Sequence, residues 1–189
     1  MLSLLIGLFL FLGIHSISII AEDFRNSMAA KSENGWKVIY SLISIVGIVF
    51  IVKGYAALRL EPVVLYVTPY WFKHLTYSLM LPAMILFVAP YLPGKIKQVT
   101  KHPQLIAVKL WAFSHLLVNG MLSDVILFGA FLIWAVADRI SMKKRKSLAI
   151  PALKANGLND IIAIILGVVL TGVFIFYLHE LLIGMPLAV

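Results

Sequence analysis

Long apolar runs, each ended by a short polar segment, follow one another along almost the whole chain. An α-helix needs about 20 mainly apolar residues to cross the hydrocarbon core of a bilayer. Runs near that length predict spans at 2–20, 37–57, 74–92, 104–119, 122–138 and 160–182. The pattern predicts an all-α fold, a polytopic transmembrane helical bundle of about six helices that forms a single domain over residues 1–189.

Two segments between these spans carry distinct local signals. Only the strong turn dipeptide Asn119-Gly120 separates the fourth and fifth spans, which predicts a tight helical hairpin. Asp124 follows that turn and is predicted to cap the next helix. The segment 61–73 holds two prolines and four aromatic residues, a composition that predicts a broken, non-helical stretch at the membrane interface.

The composition narrows the class of protein further. The chain is 62% hydrophobic and 13% charged, and its mean hydropathy is +1.01, so the lipid bilayer is the expected partner. The absence of cysteine excludes disulfides, thiolate metal ligands and thiol catalysis. The formal net charge is +8, but the basic residues occupy short loops, so no nucleic-acid partner is expected.

The basic residues are distributed unevenly between the two sides of the predicted bundle. With six spans, twelve lysines and arginines fall in the loops of one side and three in those of the other. The positive-inside rule then places both termini away from the cytoplasm. The run from Met142 to Lys146 is interpreted as a topology anchor at the anionic leaflet, with a partner-binding site as the alternative.

Two histidines, His15 and His115, lie well within predicted spans, where polar side chains are rare and usually functional. Two such imidazoles could hold a haem iron from both faces, or each could instead bond a neighbouring helix. Trp111 lies one helical turn before His115 and shares its face. Lys109 could pair with a haem propionate or extend to the cytoplasmic surface.

The other histidines are less well placed for deep ligation. His102-Pro103 opens the fourth span, since proline is favoured at the first helical position. His74 and the pair His179-Glu180 fall near the membrane surface opposite to the cytoplasmic one. They are interpreted as surface polar groups, with a metal site as the alternative. The chain carries no P-loop, dinucleotide fingerprint, zinc-protease motif or nucleophile elbow.

The segments FLGIHSISII, WKVIYSLISIVGIVFIVKGY and HPQLIAVKLWAFSHLLVNG, with the sequence that continues to the basic run, resemble the NnrU family. The similarity runs from about residue 5 to 145. It implies a bacterial inner-membrane protein associated with denitrification, that is, with nitrite and nitric oxide reduction. A redox or denitrification partner in the membrane would follow from that association.

A more distant resemblance is to 15-cis-ζ-carotene isomerase, which shares this domain and binds haem b through two histidines. Its ligand segments match His15-Ser16 and the stretch from Trp111 to His115. The resemblance therefore implies haem b held by His15 and His115. The isomerase has a cysteine that is implicated in a redox-dependent ligand change, and this chain has Ala112 there, so haem binding carries over and the switch does not.

Two other classes of function stay open. The pair His102-Pro103 also resembles integral-membrane methyltransferases, although the arginine, tyrosine and glycine of their motif are missing. A non-catalytic membrane assembly factor is the third possibility. By helix rise, His15 is expected about 8 Å and His115 about 16 Å from the cytoplasmic edge, whereas ligands to one iron should lie at similar depths.

Overall fold

The protein is described by a computed structural model that covers residues 1–145 and 152–187. Its helices are α1 (Leu2–Ile20), α2 (Glu22–Lys31), α3 (Glu33–Leu58), α4 (Phe72–Val88), α5 (Lys95–Thr100), α6 (Pro103–Val118), α7 (Leu122–Ser141), α8 (Asn159–Val173) and α9 (His179–Ile183). A 3-10 turn, Ala89–Tyr91, extends α4, and a π-helical turn, Phe174–Leu178, joins α8 to α9. The predicted all-α membrane fold is confirmed.

Four helical stretches are long and apolar enough to cross a membrane. These are Leu2–Ile20, Glu33–Leu58, Phe72–Tyr91 and Asn159–Ile183. Helix α6 is apolar but has only 16 residues, and α7 has 20 residues but carries Asp124, Asp138 and Arg139. The count of six spans therefore stays a prediction for these two helices, and Lys146 of the basic run lies outside the described residues.

The segment between the first two predicted spans contains more helix than the sequence indicated. Helix α2 is polar and buries no residue. Helix α3 then begins at Glu33 rather than at residue 37, because Ser32 caps it by accepting a hydrogen bond from the Gly35 amide at 3.1 Å. An exposed ion pair of 2.7 Å between Glu33 and Lys37 lies on the first turn.

The chain divides into two compact units, and each is described here by itself. The first comprises residues 1–66 and 120–145, and the second comprises residues 67–119 and 152–187 of the described chain. The first unit thus contains α1, α2, α3 and α7, and the second contains α4, α5, α6, α8 and α9. The single domain over 1–189 stays a prediction.

In the first unit, α1 packs against α3 through backbone contacts at glycines. A Cβ atom at Gly7 would lie 2.5 Å from the Ile51 amide nitrogen. Gly47 meets the backbone of Phe11, and Gly54 meets the backbone of Leu4, in the same way. The hydrophobic effect does not drive membrane helices together, because lipid tails are as apolar as the helix surfaces. Small residues such as these glycines let two helices approach closely, so that dispersion contacts between them stabilise the pair. Helix α7 packs on the same α1.

The turn at residues 119–121 is tied to the loop that follows α3. The Leu65 amide donates to the Gly120 carbonyl oxygen at 2.8 Å, and the Leu122 amide donates to the Val63 carbonyl oxygen at 2.8 Å. Gly120 lies against the Tyr66 carbonyl, so no side chain fits there. The irregular backbone predicted over 61–73 is confirmed as far as Trp71, since α4 begins at Phe72, and the break between α6 and α7 is confirmed. The pairing of α6 with α7 as a hairpin stays a prediction.

Asp124 has the predicted capping role at the start of α7. Its carboxylate is 2% exposed and accepts the Met121 amide at 2.9 Å. It also accepts the Tyr55 hydroxyl of α3 at 2.6 Å, so the cap joins two helices. Partial burial, together with the Asp124 charge, raises the pKa of the Tyr66 hydroxyl in the adjoining loop.

In the second unit, α4 packs against both α6 and α8. The buried Thr76 hydroxyl of α4 donates to the Ser114 carbonyl oxygen of α6 at 3.0 Å. The carboxylate of Asp160 at the start of α8 accepts the Lys95 amide at 2.7 Å and the Ile96 amide at 3.0 Å, which caps α5. The basic loop that precedes α6 is thereby fixed to α8.

The close contact at Gly7 predicts a position-specific cost in stability. Gly7→Ala forces a methyl group into the α3 backbone and should lower the free energy of unfolding by about 1–3 kcal/mol. Gly13→Ala, on the same helix, is the matched control, because a Cβ atom there meets nothing within 4 Å. Thermal unfolding in detergent measures both, and equal midpoints for the two variants would contradict the packing of α1 on α3.

Candidate functional site

His15 lies on α1, within aromatic surroundings formed by three helices of the first unit. Its ring stacks on Phe11 with centroids 4.2 Å apart. The ring of Tyr40 on α3 is 4.9 Å away, and the ring of Trp134 on α7 meets the imidazole edge-on at 5.9 Å. The Nδ1 atom donates to the Phe11 carbonyl oxygen at 2.6 Å. The imidazole is therefore held by one hydrogen bond and by aromatic contacts.

His115 lies in the last turn of α6, in the second unit. Its Nδ1 atom donates to the Trp111 carbonyl oxygen at 2.8 Å, and the two rings are tilted with centroids 5.4 Å apart. The predicted common face of Trp111 and His115 is therefore confirmed. The carbonyl oxygen of His115 accepts the Asn119 amide at 2.8 Å, which ends the helix at this point.

The two histidines share one local arrangement. In each, Nδ1 faces the carbonyl oxygen of the residue four positions earlier, and a carbonyl can only accept, so Nδ1 carries the proton. In the neutral ring the lone pair is then on Nε2. Histidines that bind metals usually donate their other ring N–H to such an oxygen, which fixes the tautomer and the ring orientation. In both rings Nε2 is thus the nitrogen that carries the lone pair.

Lys109 occupies a different side of α6. At about 100° per residue, it lies about 120° around the helix from His115 and about 160° from Trp111. It is half-buried and makes no hydrogen bond or ion pair within residues 1–145 and 152–187. This position favours the extension of its stem toward the membrane surface over a contact with a group held on the His115 face.

Sequence reasoning missed a buried ion pair in the first unit. Asp138 of α7 is 5% exposed and pairs with the guanidinium of Arg145. The hydroxyl of Ser141 donates to the Asp138 carbonyl oxygen at 3.0 Å. The Asp138 carboxylate lies near enough to His15 and Tyr40 to act on both electrostatically. The buried Asp138 carboxylate therefore contributes to the electrostatic environment of His15.

A signal for this pair was present in the sequence. Asp138 ends an otherwise apolar stretch, where an acidic residue needs an internal partner, and Arg145 follows two helical turns later. The sequence assigned Arg145 to a surface anchor together with Lys143 and Lys144. In the structure, the side chain of Arg145 is only 10% exposed, whereas both lysines are exposed.

The remaining histidines have local roles. His102 is the N-cap residue of α6, ahead of Pro103, as the sequence predicted. The ring of His74 meets the ring of Tyr70 edge-on at 6.5 Å, and Nδ1 of His179 donates to the Met185 carbonyl oxygen at 2.7 Å. The part of the chain that the structure describes has no group of three or more histidine, aspartate or glutamate residues that could hold a metal ion.

The chain was compared with models of known protein families. The family model described as NnrU protein matches residues 3–187. The chain belongs to the NnrU family. No curated protein and no solved structure matches the chain. The NnrU resemblance inferred over about residues 5–145 is thus confirmed, and it extends over nearly the whole chain. The similarity to the isomerase and the similarity to methyltransferases stay predictions.

The buried ion pair between Asp138 and Arg145 can be tested with a double-mutant cycle. Arg145→Gln leaves the Asp138 carboxylate buried without a cation and should cost about 3 kcal/mol of unfolding free energy. The double variant Asp138→Asn/Arg145→Gln removes both charges and should recover most of that loss. Chemical unfolding in detergent measures the cycle. Additive losses would show that the two side chains do not form the pair.

Proposed function

We propose that this NnrU-family protein binds one haem b, which His15 and His115 would hold, and that it serves a redox role in the bacterial inner membrane. The observation that supports the proposal is the hydrogen bond shared by both histidines, from Nδ1 to the carbonyl oxygen four residues earlier. It sets the tautomer that iron requires in the only two histidines that the sequence places deep within spans.

The chain's own residues prepare the ligands. The carbonyl oxygens of Phe11 and Trp111 fix the rotation of the two imidazoles and increase the basicity of Nε2. The rings of Phe11, Tyr40 and Trp134 shield the first imidazole from water, and Trp111 provides a flat apolar surface beside the second. Haem iron would supply a one-electron couple, and two imidazole ligands favour electron transfer or redox sensing over substrate activation.

The redox role is preferred to an isomerase-like one because of the residue at position 112. Ala112 is fully buried on α6, and the chain has no cysteine at any position. A thiol-dependent exchange of axial ligands is therefore outside the chemistry of this chain. The association of the family with denitrification suggests nitrite or nitric oxide reduction as the process that this redox role supports, together with a redox partner in the membrane.

The haem proposal predicts a spectroscopic signature. The protein purified with haem should show the Soret and visible bands of a low-spin, six-coordinate iron. His15→Ala and His115→Ala should each abolish this spectrum or convert it to a high-spin form, because each removes one axial ligand. Absorption and electron paramagnetic resonance spectra measure the change.

Two control variants sharpen this test. His102→Ala removes a histidine at the N-cap of α6, and Lys109→Met removes a cation that lies on another face of α6, so both should retain the low-spin spectrum. Retention of the spectrum in His15→Ala or in His115→Ala would refute the ligand assignment. A colourless protein that binds a nucleotide methyl donor would favour the methyltransferase, and one that binds neither would favour the assembly factor.

We further propose that both termini face the periplasm. Twelve basic residues in the loops of one side, against three on the other, support this topology by the positive-inside rule. The proposal takes α6 and α7 as spans in addition to the four long apolar stretches. The loop between α1 and α3 and the basic run after α7 would then face the cytoplasm, and the loop between α3 and α4 the periplasm.

The topology can be tested with single cysteines, because the natural chain has none. Asn34→Cys lies at the exposed start of α3, and Glu61→Cys lies in the exposed loop that follows it. A membrane-impermeant thiol reagent added to spheroplasts should label Glu61→Cys and leave Asn34→Cys unlabelled until the membrane is disrupted. Labelling of both variants from outside, or of Asn34→Cys alone, would refute the proposed orientation.

A further inference from the structure

The ends of three helices of the second unit meet in one polar segment. The 3-10 turn that ends α4 packs against both α6 and α8. The Lys97 ammonium donates to the Pro90 carbonyl oxygen at 3.0 Å, and the side-chain amide of Asn159 donates to the Pro93 carbonyl oxygen at 2.9 Å. Because apolar helices end where hydrocarbon gives way to lipid headgroups, we expect this end of the unit at a membrane surface.

The first two residues of α8 bring lysines from two separate segments to this end. The Asn159 side chain also donates to the Lys154 carbonyl oxygen at 3.0 Å, and the Asp160 carboxylate accepts the Lys95 amide at 2.7 Å. The backbones of Lys154 and Lys95 are thus each one hydrogen bond away from neighbouring residues of α8. Lys101 ends the short helix α5, about 9 Å from Lys95 by helix rise.

The positive charge of these three lysines is not neutralised by direct pairing. All three are exposed, and none of their ammonium groups makes a hydrogen bond or an ion pair with another residue of 1–145 or 152–187. Asp160 is bound to the same segment, but both of its carboxylate oxygens accept backbone amides. The lysines therefore present donors and positive charge to whatever lies at this surface.

The backbone at Lys101 is strained in a way that glycine would avoid. Its φ is +59° and its ψ is −47°, and the His102 amide donates across it to the Thr100 carbonyl oxygen at 2.6 Å. A three-residue turn of this kind is rare and strained. No other residue of the described chain except a glycine has a positive φ. Such strain is concentrated at functional sites, and here it falls on a lysine.

Exposed apolar side chains accompany the lysines. Val99 of α5 is 82% exposed, and Leu153 and Leu158, in the segment before α8, are also exposed. At a membrane interface such side chains insert among the headgroups, while lysines keep their ammonium groups at the level of the phosphates. A soluble anion would leave these apolar side chains in water, so the combination favours a lipid as the partner.

We propose that the surface formed by Lys95, Val99, Lys101, Leu153 and Lys154 binds the headgroup of an anionic phospholipid. The phosphate oxygens accept charge-assisted hydrogen bonds from the ammonium groups, and the apolar side chains contact the adjoining part of the lipid. In the topology proposed above, this surface faces the cytoplasmic leaflet, whose anionic lipids attract such basic segments. The proposal depends neither on that topology nor on haem binding.

Lipid binding can be measured by native mass spectrometry of the full chain in detergent. The protein is titrated with phosphatidylglycerol or with phosphatidylethanolamine of the same acyl chains, and the natural protein should bind the anionic lipid about tenfold to a hundredfold more tightly. Each lysine removed should cost about fivefold in affinity for phosphatidylglycerol. The triple variant Lys95→Gln/Lys101→Gln/Lys154→Gln should lose the preference and keep its affinity for phosphatidylethanolamine. Equal affinities in the natural protein, or an unchanged preference in the triple variant, would overturn the proposal.

A substitution at the strained position separates lipid binding from stability. Lys101→Gly should lose about fivefold in affinity for phosphatidylglycerol, while its melting temperature in lipid-free detergent should stay the same or rise, because glycine adopts this backbone without strain. A lower melting temperature with an unchanged lipid preference would show that Lys101 has only a structural role and would remove it from the surface.

Two controls define the partner. Lys53→Gln removes one exposed lysine of α3, in the first unit, and should keep the full preference. A loss equal to that of Lys95→Gln would show that the preference follows the net charge of the chain, against a surface built at this site. Soluble glycerol phosphate should bind far more weakly than phosphatidylglycerol, and equal binding of the two would assign the surface to a soluble anion instead of a lipid.

Discussion

Hydrocarbon offers no hydrogen-bond partners, so each polar side chain on these apolar helices depends on an acceptor or donor within the protein. The structure meets this constraint both within single helices and between helices. Thr76 donates to the Ser114 carbonyl between α4 and α6, and Ser44 donates to the Tyr40 carbonyl within α3. Asp124 accepts from Tyr55 and from the α7 backbone. The packing of both units is organised around such pairs, with glycine contacts closing the space between α1 and α3.

His15 and His115 also have hydrogen-bond partners within the protein, and these partners determine which ring nitrogen carries the proton. A hydrogen bond from Nδ1 to a carbonyl of the same helix satisfies one nitrogen locally and leaves the other ring nitrogen as a potential ligand atom. The haem proposal thus follows from the way a bilayer constrains an imidazole.

Much of the fold was predictable because it depends on local patterns. Apolar runs of sufficient length located α1, α4, α6 and α7 to within a few residues, and the Asn119-Gly120 dipeptide located the break before α7. The last run, 160–182, corresponds to the stretch Asn159–Ile183, which comprises α8, the π-helical turn and α9. Helix α2 was missed because it is polar and buries nothing, so no periodic signal marks it. The aromatic contacts of His15 with Tyr40 and Trp134, and the pairing of Asp138 with Arg145, arise from tertiary packing between distant segments. A single sequence shows these residues, but it does not show that they come into contact in the folded protein.

The composition of the first unit has a consequence for biosynthesis. Its helices α1 and α3 leave the ribosome early, whereas α7, which packs on α1, follows only after residues 67–119 of the other unit have been made. Because α7 carries three charged residues, its entry into the bilayer as an isolated segment is unfavourable. The flank of α1 that α7 covers therefore stays open until the chain has been made as far as residue 141.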